Sequence, residues 1–284
     1  MLAPADTPLA WAARHSPDRI SAVGVLAVRI RRYLTTDADP SLAALPGLRV
    51  RVAGQAERPL WHESTGLYGF LNIPSGDARI EIDDPAGRFQ PQAITALVPD
   101  RSALKAALEA AEAPPVVPPP AYPTVDLRPG PAMGLPPATT AIWGVLRDGS
   151  RAVPGALLSL ATVRNGAADV VSALSGPDGS FLLVLPFEVI DRGVNPPTRS
   201  FNRSLTVFAP RPALAAALAA QGFLAGQPAN VFGLSAAERN ALFLPRGFQL
   251  REAGGALHPQ VGGQNPPVSV SVGRKVRLDI ELLP

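Results

Sequence analysis

The chain has 284 residues, 46% hydrophobic and 17% charged, a composition that builds a buried core and excludes a disordered or solvating chain. The formal charge is +3, from 26 Lys and Arg against 23 Asp and Glu with arginine far outnumbering lysine, and without a dense basic patch nucleic-acid binding is not expected. Zero cysteines remove disulfides, thiolate metal sites and a cysteine nucleophile, while 33 prolines and 25 glycines dispersed among short apolar runs imply many turns and few long helices.

The N-terminal stretch MLAPADTPLAWAARHSPDR lacks a basic start followed by an apolar segment, so no signal peptide is read. The alanine-rich segment from Ala213 to Gly226 is too short for a bilayer and contains Gln221 and Gly222, so no membrane span is read either. The first strand is expected over Ala22 to Arg31. Leu48-Arg49-Val50-Arg51-Val52 then alternates with period 2, sending aliphatics to one face and arginines to the other. Ala78 to Asp83 repeats the device, with Ile80 and Ile82 inward and Arg79, Glu81 and Asp83 outward, which describes a sheet with one wet face. Between them lies Gly66-Leu67-Tyr68-Gly69-Phe70-Leu71-Asn72-Ile73-Pro74-Ser75-Gly76, a glycine turn, aromatics at period 2 and a stop. Asp100 to Glu112 reads as a short helix capped by Asp100, with Leu104, Leu108 and Ala111 as its apolar stripe.

Ten prolines fall in the 25 residues from Ala113 to Pro137. Such a run favours extended polyproline-like backbone and marks residues 113–137 as a linker between an N-terminal domain (1–112) and a second domain (138–284). The alternative, one long loop inside a single domain, requires a structureless segment of uncommon length.

The second half opens with a strand from Ala141 to Arg147, a turn at Asp148-Gly149-Ser150, and a strand after Val153-Pro154-Gly155-Ala156. Strands follow at Val170 to Leu174 and, after the turn Gly176-Pro177-Asp178-Gly179, at Ser180 to Leu185. Further strands are expected at Ser204 to Ala209 and in one long final run, Val268 to Leu283, where Val276, Leu278, Ile280 and Leu282 alternate with charged residues. Strands at this spacing indicate a β-sandwich. A helical insertion is expected at about 211–243. Pro212 starts its first helix, Leu214 and Leu218 share a face, Gly222 ends it, and Ser235-Ala236-Ala237-Glu238 fits a capping box for the second. The stretch PRGFQLREAGGALHPQVGGQNPP reads as loop.

The halves share a signature, Gly66-x-Tyr68-x-Phe70 matching Gly179-x-Phe181-x-Leu183, each followed by a proline, Pro74 or Pro186. In the second half, residues 141–186 resemble the carboxypeptidase regulatory-like (transthyretin-like, prealbumin-like) β-sandwich family. The matching residues are Gly144, Asp148, Gly149, Val153, Pro154, Gly155, Ala156, Asp178, Gly179, Phe181, Leu185 and Pro186. The resemblance implies the fold and a role as rigid spacer, adhesive unit or assembly part, without shared catalytic residues. A looser resemblance covers residues 21–90 through GLYGFLNIPSG.

Chemistry-bearing patterns are sparse. His15, His62 and His258 stand in unlike contexts without a further histidine or carboxylate at metal-ligand spacing. The acidic cluster Glu81, Asp83 and Asp84 has no EF-hand spacing, and Asp84-Pro85-Ala86-Gly87 is turn chemistry. No nucleophile elbow, phosphate loop or dinucleotide fingerprint occurs. Trp11, Trp61 and Trp143 are sugar-stacking candidates or, more commonly, core or interface residues.

The expectation is therefore a mainly β protein of two Ig-like or transthyretin-like sandwiches, not an enzyme, without cofactor or metal. It is expected to act as a structural subunit that binds other protein subunits of a particle, a bacteriophage tail or contractile injection apparatus, made in the cytoplasm without a signal peptide. The alternative is a secreted or surface carbohydrate-binding or adhesive module. Candidate partner contacts are Tyr122, Leu214, Leu218, Phe223, Phe232 and Phe243, with the bland reading that they cover the second core.

Overall fold

A computed structural model describes residues 24–32, 45, 47–56, 58–62, 66–98, 123–137, 139–164, 167–185, 200–252, 257–258 and 264–283. The protein is mainly β and divides into two compact units, Met1–Pro85 with Pro91–Leu127, and Ala86–Gln90 with Arg128–Pro284. The helix expected over 100–112 lies outside the described residues.

The first unit contains β1 (Gly24–Arg32), β2 (Arg49–Val52), β3 (Leu60–His62), β4 (Leu67–Ile73), β5 (Gly76–Asp83), β6 (Gln92–Val98) and β7 (Thr124–Leu127). They form two sheets, in the orders β3-β4-β1-β7 and β2-β5-β6. The alternation read in β2 and β5 is present, with Val50, Val52, Ile80 and Ile82 all buried. Glu81 departs from the expected wet face. Its side chain is only 5% exposed, because the register sets Arg51 directly opposite and Arg79 lies two residues away on the same side. Arg51 Nε and Arg79 Nε donate to the two carboxylate oxygens at 2.9 and 3.3 Å. The stretch read as linker also holds more structure than expected. Thr124–Leu127 lies within its longest run free of proline and glycine, Thr124–Arg128, and adds β7 to the sheet edge in parallel with β1, where Arg31 Nε meets Asp126 Oδ1 at 2.9 Å.

The second unit contains β8 (Ala141–Asp148), β9 (Arg151–Ala152), β10 (Leu157–Arg164), β11 (Ala167–Leu174), β12 (Ser180–Val184), β13 (Ser200–Arg203) and β14 (Leu205–Pro210). After the helical insertion come β15 (Phe243–Arg246), β16 (Phe248–Glu252), β17 (Leu257–His258), β18 (Val268–Ser271) and β19 (Lys275–Leu282). One sheet runs β11-β10-β14-β15, the other β12-β8-β19-β16-β17 with β9 beside β8, and β13 pairs with β18. Between them lies a core that includes Leu146, Leu158, Leu160, Phe181, Val207, Phe248 and Ile280. Fully burying a side chain of this size stabilises the fold by about 1.5–3 kcal/mol.

Two expectations are corrected here. The long final strand is two strands, because a turn in which Arg274 N–H donates to Ser271 O (3.2 Å) sends β18 to β13 and β19 to β8 and β16. The segment Phe243 to Glu252, read partly as helix end and partly as loop, supplies β15 and β16. Pro245 is tolerated because β15 is an edge strand, and β16 pairs with the distant β19 on one side and with β17 on the other.

The shared turn signature has the anticipated physical basis. Gly66 and Gly179 adopt φ of 64° and 77°, and the aromatics that follow, Tyr68, Phe70 and Phe181, are buried. At Gly179 a Cβ would stand 2.5 Å from the Leu146 carbonyl oxygen, so the turn needs glycine for space as well as for backbone sign. Asp178 closes this turn, its Oδ1 accepting from Ser180 N at 3.0 Å and Ser180 Oγ at 2.6 Å. These bonds hold its carboxyl below the usual aspartate range.

Gly179→Ala is expected to destabilise the second unit by about 2–4 kcal/mol in denaturant unfolding, since both strain and overlap fall on the chain that leads into β12. Asp178 has a depressed folded pKa, so its contribution is complete above the ordinary aspartate pKa and is lost as pH falls through the lower folded value. The stability difference between wild type and Asp178→Asn should thus be constant near neutrality and shrink on the acid side, as read from melting midpoints across that range.

Candidate functional site: an arginine-lined groove

The insertion between β14 and β15 forms α1 (Pro212–Gln221), α2 (Phe223–Gly226), a single 3-10 turn (Val231–Gly233) and α3 (Ala236–Leu242). Pro212 occupies the first turn of α1 and Gly222, at φ 88°, ends it. The capping box is formed as read: Glu238 N–H donates to Ser235 Oγ at 3.3 Å, and Ser235 N–H to Glu238 Oε2 at 2.8 Å. Hydrogen bonds from the Ser235 side chain and backbone N–H to the Glu238 carboxyl hold it below its usual range.

This insertion covers the outer face of the β11-β10-β14-β15 sheet. Leu214 and Leu218 of α1 pack with Leu157, Leu174, Phe208, Val231 and Phe243 in a second, smaller core, flanked by Phe223, Phe232, Leu234 and Leu242. Leu214, Leu218 and Phe243, expected as partner contacts, are therefore buried inside the unit, and Phe223 is half-buried against them. Tyr122 lies outside the described residues. Phe232 alone among those candidates borders an open site.

Where the helical cover ends, a half-open groove of about 440 Å³ remains on the same sheet face. Its floor is a row of hydroxyls, Ser159, Ser172, Ser204 and Thr206; Ser159, Ser172 and Thr206 alternate along β10, β11 and β14 with side chains that enter the main core, and Ser204 immediately precedes β14. Ser159 Oγ and Ser172 Oγ are 3.3 Å apart. Two arginines lie in the walls. Arg128 has its guanidinium 4.2 Å from the Phe232 ring centre and donates from Nη1 to Ser172 O at 3.1 Å. Arg239, on α3, lies 4.6 Å over the Phe208 ring. The Nε of Arg239 is buried and has no hydrogen-bond partner.

Phe232, Phe208, Leu157, Val231 and Leu234 supply apolar wall, and among the described residues no carboxylate or imidazole lines the groove. A guanidinium stays charged and donates only, so this lining offers hydrogen-bond donors and hydroxyls and, among the described residues, lacks a group that exchanges protons near neutral pH. Sequence reading had not selected Arg128, Arg239 or the hydroxyl row. The available signal was local: a serine interrupting the apolar runs Leu157-Leu158-Ser159-Leu160 and Val170-Val171-Ser172.

The open edge of β11 beside the groove is closed to strand pairing by side chains. Leu174 N–H donates to Gln90 Oε1 (2.9 Å), Val170 N–H to Asp169 Oδ1 (2.8 Å), and Ser172 O accepts from Arg128. Gln90 is held there because its own N–H bonds Arg128 O at 2.9 Å. Among the described residues no group of three or more His, Asp or Glu converges as a metal site, and no helix is long and apolar enough to cross a membrane.

No family model matches the chain, and no curated protein matches it. Among solved structures it is similar to the Bacillus anthracis TIE protein at 11% identity and a TM-score of 0.24, covering 93% of this chain and 51% of that one. It is also similar to BcpA, the major pilin subunit of Bacillus cereus (11% identity, TM-score 0.22, 91% and 58% covered). A Streptococcal ancillary pilin is a third (15% identity, TM-score 0.21, 95% and 60% covered). The chain thus spans between about half and three-fifths of those proteins, and likeness at this level transfers neither fold nor function.

Removing the edge plugs should expose strand-pairing groups. Gln90→Ala combined with Asp169→Ala is expected to raise the average mass with concentration in light scattering, where wild type does so less.

Proposed function

We propose that the chain is a non-enzymatic subunit of a larger protein assembly, whose sandwiches hold binding surfaces in place. The observation that carries this reading is Trp143. It lies on β8, a strand paired on both sides, yet it is 42% exposed on the outer face of its sheet. Arg277 stands 5.1 Å over the ring and is held by Asp279, with Arg277 Nη2 to Asp279 Oδ2 at 3.1 Å. An aromatic placed in solvent and braced by an arginine has the composition of interface anchors. The carboxylates support the same reading, since Glu81, Asp178, Glu238 and Asp279 each serve a bond within the fold.

As part of this proposal we assign the second unit to the carboxypeptidase regulatory-like family, on the Asp178-Gly179 turn and the buried Phe181 that follows it. A bacteriophage tail or contractile injection apparatus remains the setting suggested by the sequence reading; the reported structural neighbours, a TIE protein and pilins, lend it no support. The groove of Arg128 and Arg239 favours a second reading, an adhesive module that binds a saccharide.

Light scattering of the purified chain, alone and mixed with the products of adjacent genes, tests the first reading. A defined larger complex whose affinity falls about tenfold or more in Trp143→Ala is the expected result. A chain that stays monomeric in every mixture shifts the assignment to saccharide binding.

A further inference from the structure

We propose that the groove between Arg128 and Arg239 binds a hydroxylated carboxylate, an acidic sugar residue of the uronic acid type. The inference extends the saccharide-binding reading and is independent of the Trp143 surface, so either can fail alone.

Three observations converge. The first is a guanidinium with an unsatisfied donor: Arg239 lines the groove, and its Nε is buried without a hydrogen-bond partner, so this atom is not tied to an acceptor of the fold. The second is charge. Among the described residues two guanidiniums and no carboxylate line the site, which selects an anion and disfavours a neutral or cationic guest. Stacking on Phe208 orients the Arg239 guanidinium, while Arg128, stacked on Phe232 and bonded to Ser172 O, adds positive charge to the lining. The third is the floor, where Ser159, Ser172, Ser204 and Thr206 offer hydroxyls that both donate and accept, matching a ligand that itself carries hydroxyl groups. The volume, about 440 Å³, falls in the range of small-ligand sites.

The β11 edge disfavours an extended peptide as the guest. A peptide would pair with the free backbone edge of β11, and that edge is bonded by Gln90, Asp169 and Arg128 side chains.

The test is calorimetric titration of the full chain with a short oligogalacturonide and with glucuronate, against glucose, acetate and inorganic phosphate. The uronides are expected to bind, with glucose and acetate weaker by about tenfold or more. Arg239→Gln should weaken uronide binding by about tenfold or more. Because Arg239 also packs on Phe208, a second variant is needed, and Ala161→Glu places a carboxylate at an exposed lining position without touching the core. It should abolish binding while leaving the melting midpoint unchanged. Absence of uronide binding, binding unaltered in both variants, or phosphate or acetate bound as tightly as the uronide would each overturn the proposal.

Discussion

A β-sheet with apolar side chains on both faces has to be covered twice, and the architecture of the second unit follows from that constraint. Leu158, Leu160, Val171, Ala173 and Val207 face the other sheet, while Leu157, Leu174, Phe208 and Phe243 point to the opposite side. A two-sheet sandwich buries only the first set. The helical insertion buries the second, and α1 does so with Leu214 and Leu218 at a spacing of four, one face of a helix. The outer face of the other sheet is treated more economically, with Met133 and Leu135 packed on Ala141, Leu182 and Val184.

The groove is a consequence of that same cover stopping short. The helices protect the end of the sheet where outward residues are large and apolar, and beyond Leu157 and Leu174 the outward residues become serine, threonine, alanine and valine. Polar floor and absence of helix therefore coincide. The arginines then stand where helix cover meets bare sheet, one carried by α3 through its capping box and one by the segment that binds the β11 edge.

Ionisable groups elsewhere serve the fold. Glu81 accepts from two arginines across adjacent strands, Asp178 closes a turn, and Asp279 takes Val145 N–H at 3.1 Å where the β8–β19 ladder is interrupted. Glu81 is buried and Asp279 half-buried, and carboxylates so placed satisfy donors that would otherwise be stranded.

The sequence by itself determined what depends on neighbours along the chain: the period-2 faces of β2, β5 and β19, the glycine turns at Gly66 and Gly179, and the Ser235–Glu238 cap. Those rest on backbone sterics and on hydrogen bonds spanning a few residues, so composition and spacing suffice. Tertiary structure alone decided that Glu81 is buried, since Arg51 reaches it only through strand register. It decided that the final run breaks between β18 and β19, because each half has a different partner. It also decided the groove, which joins residues 128, 159, 172, 206 and 239. No periodicity links those positions; they meet because long-range pairing and the arrest of a helical cover place them on one face.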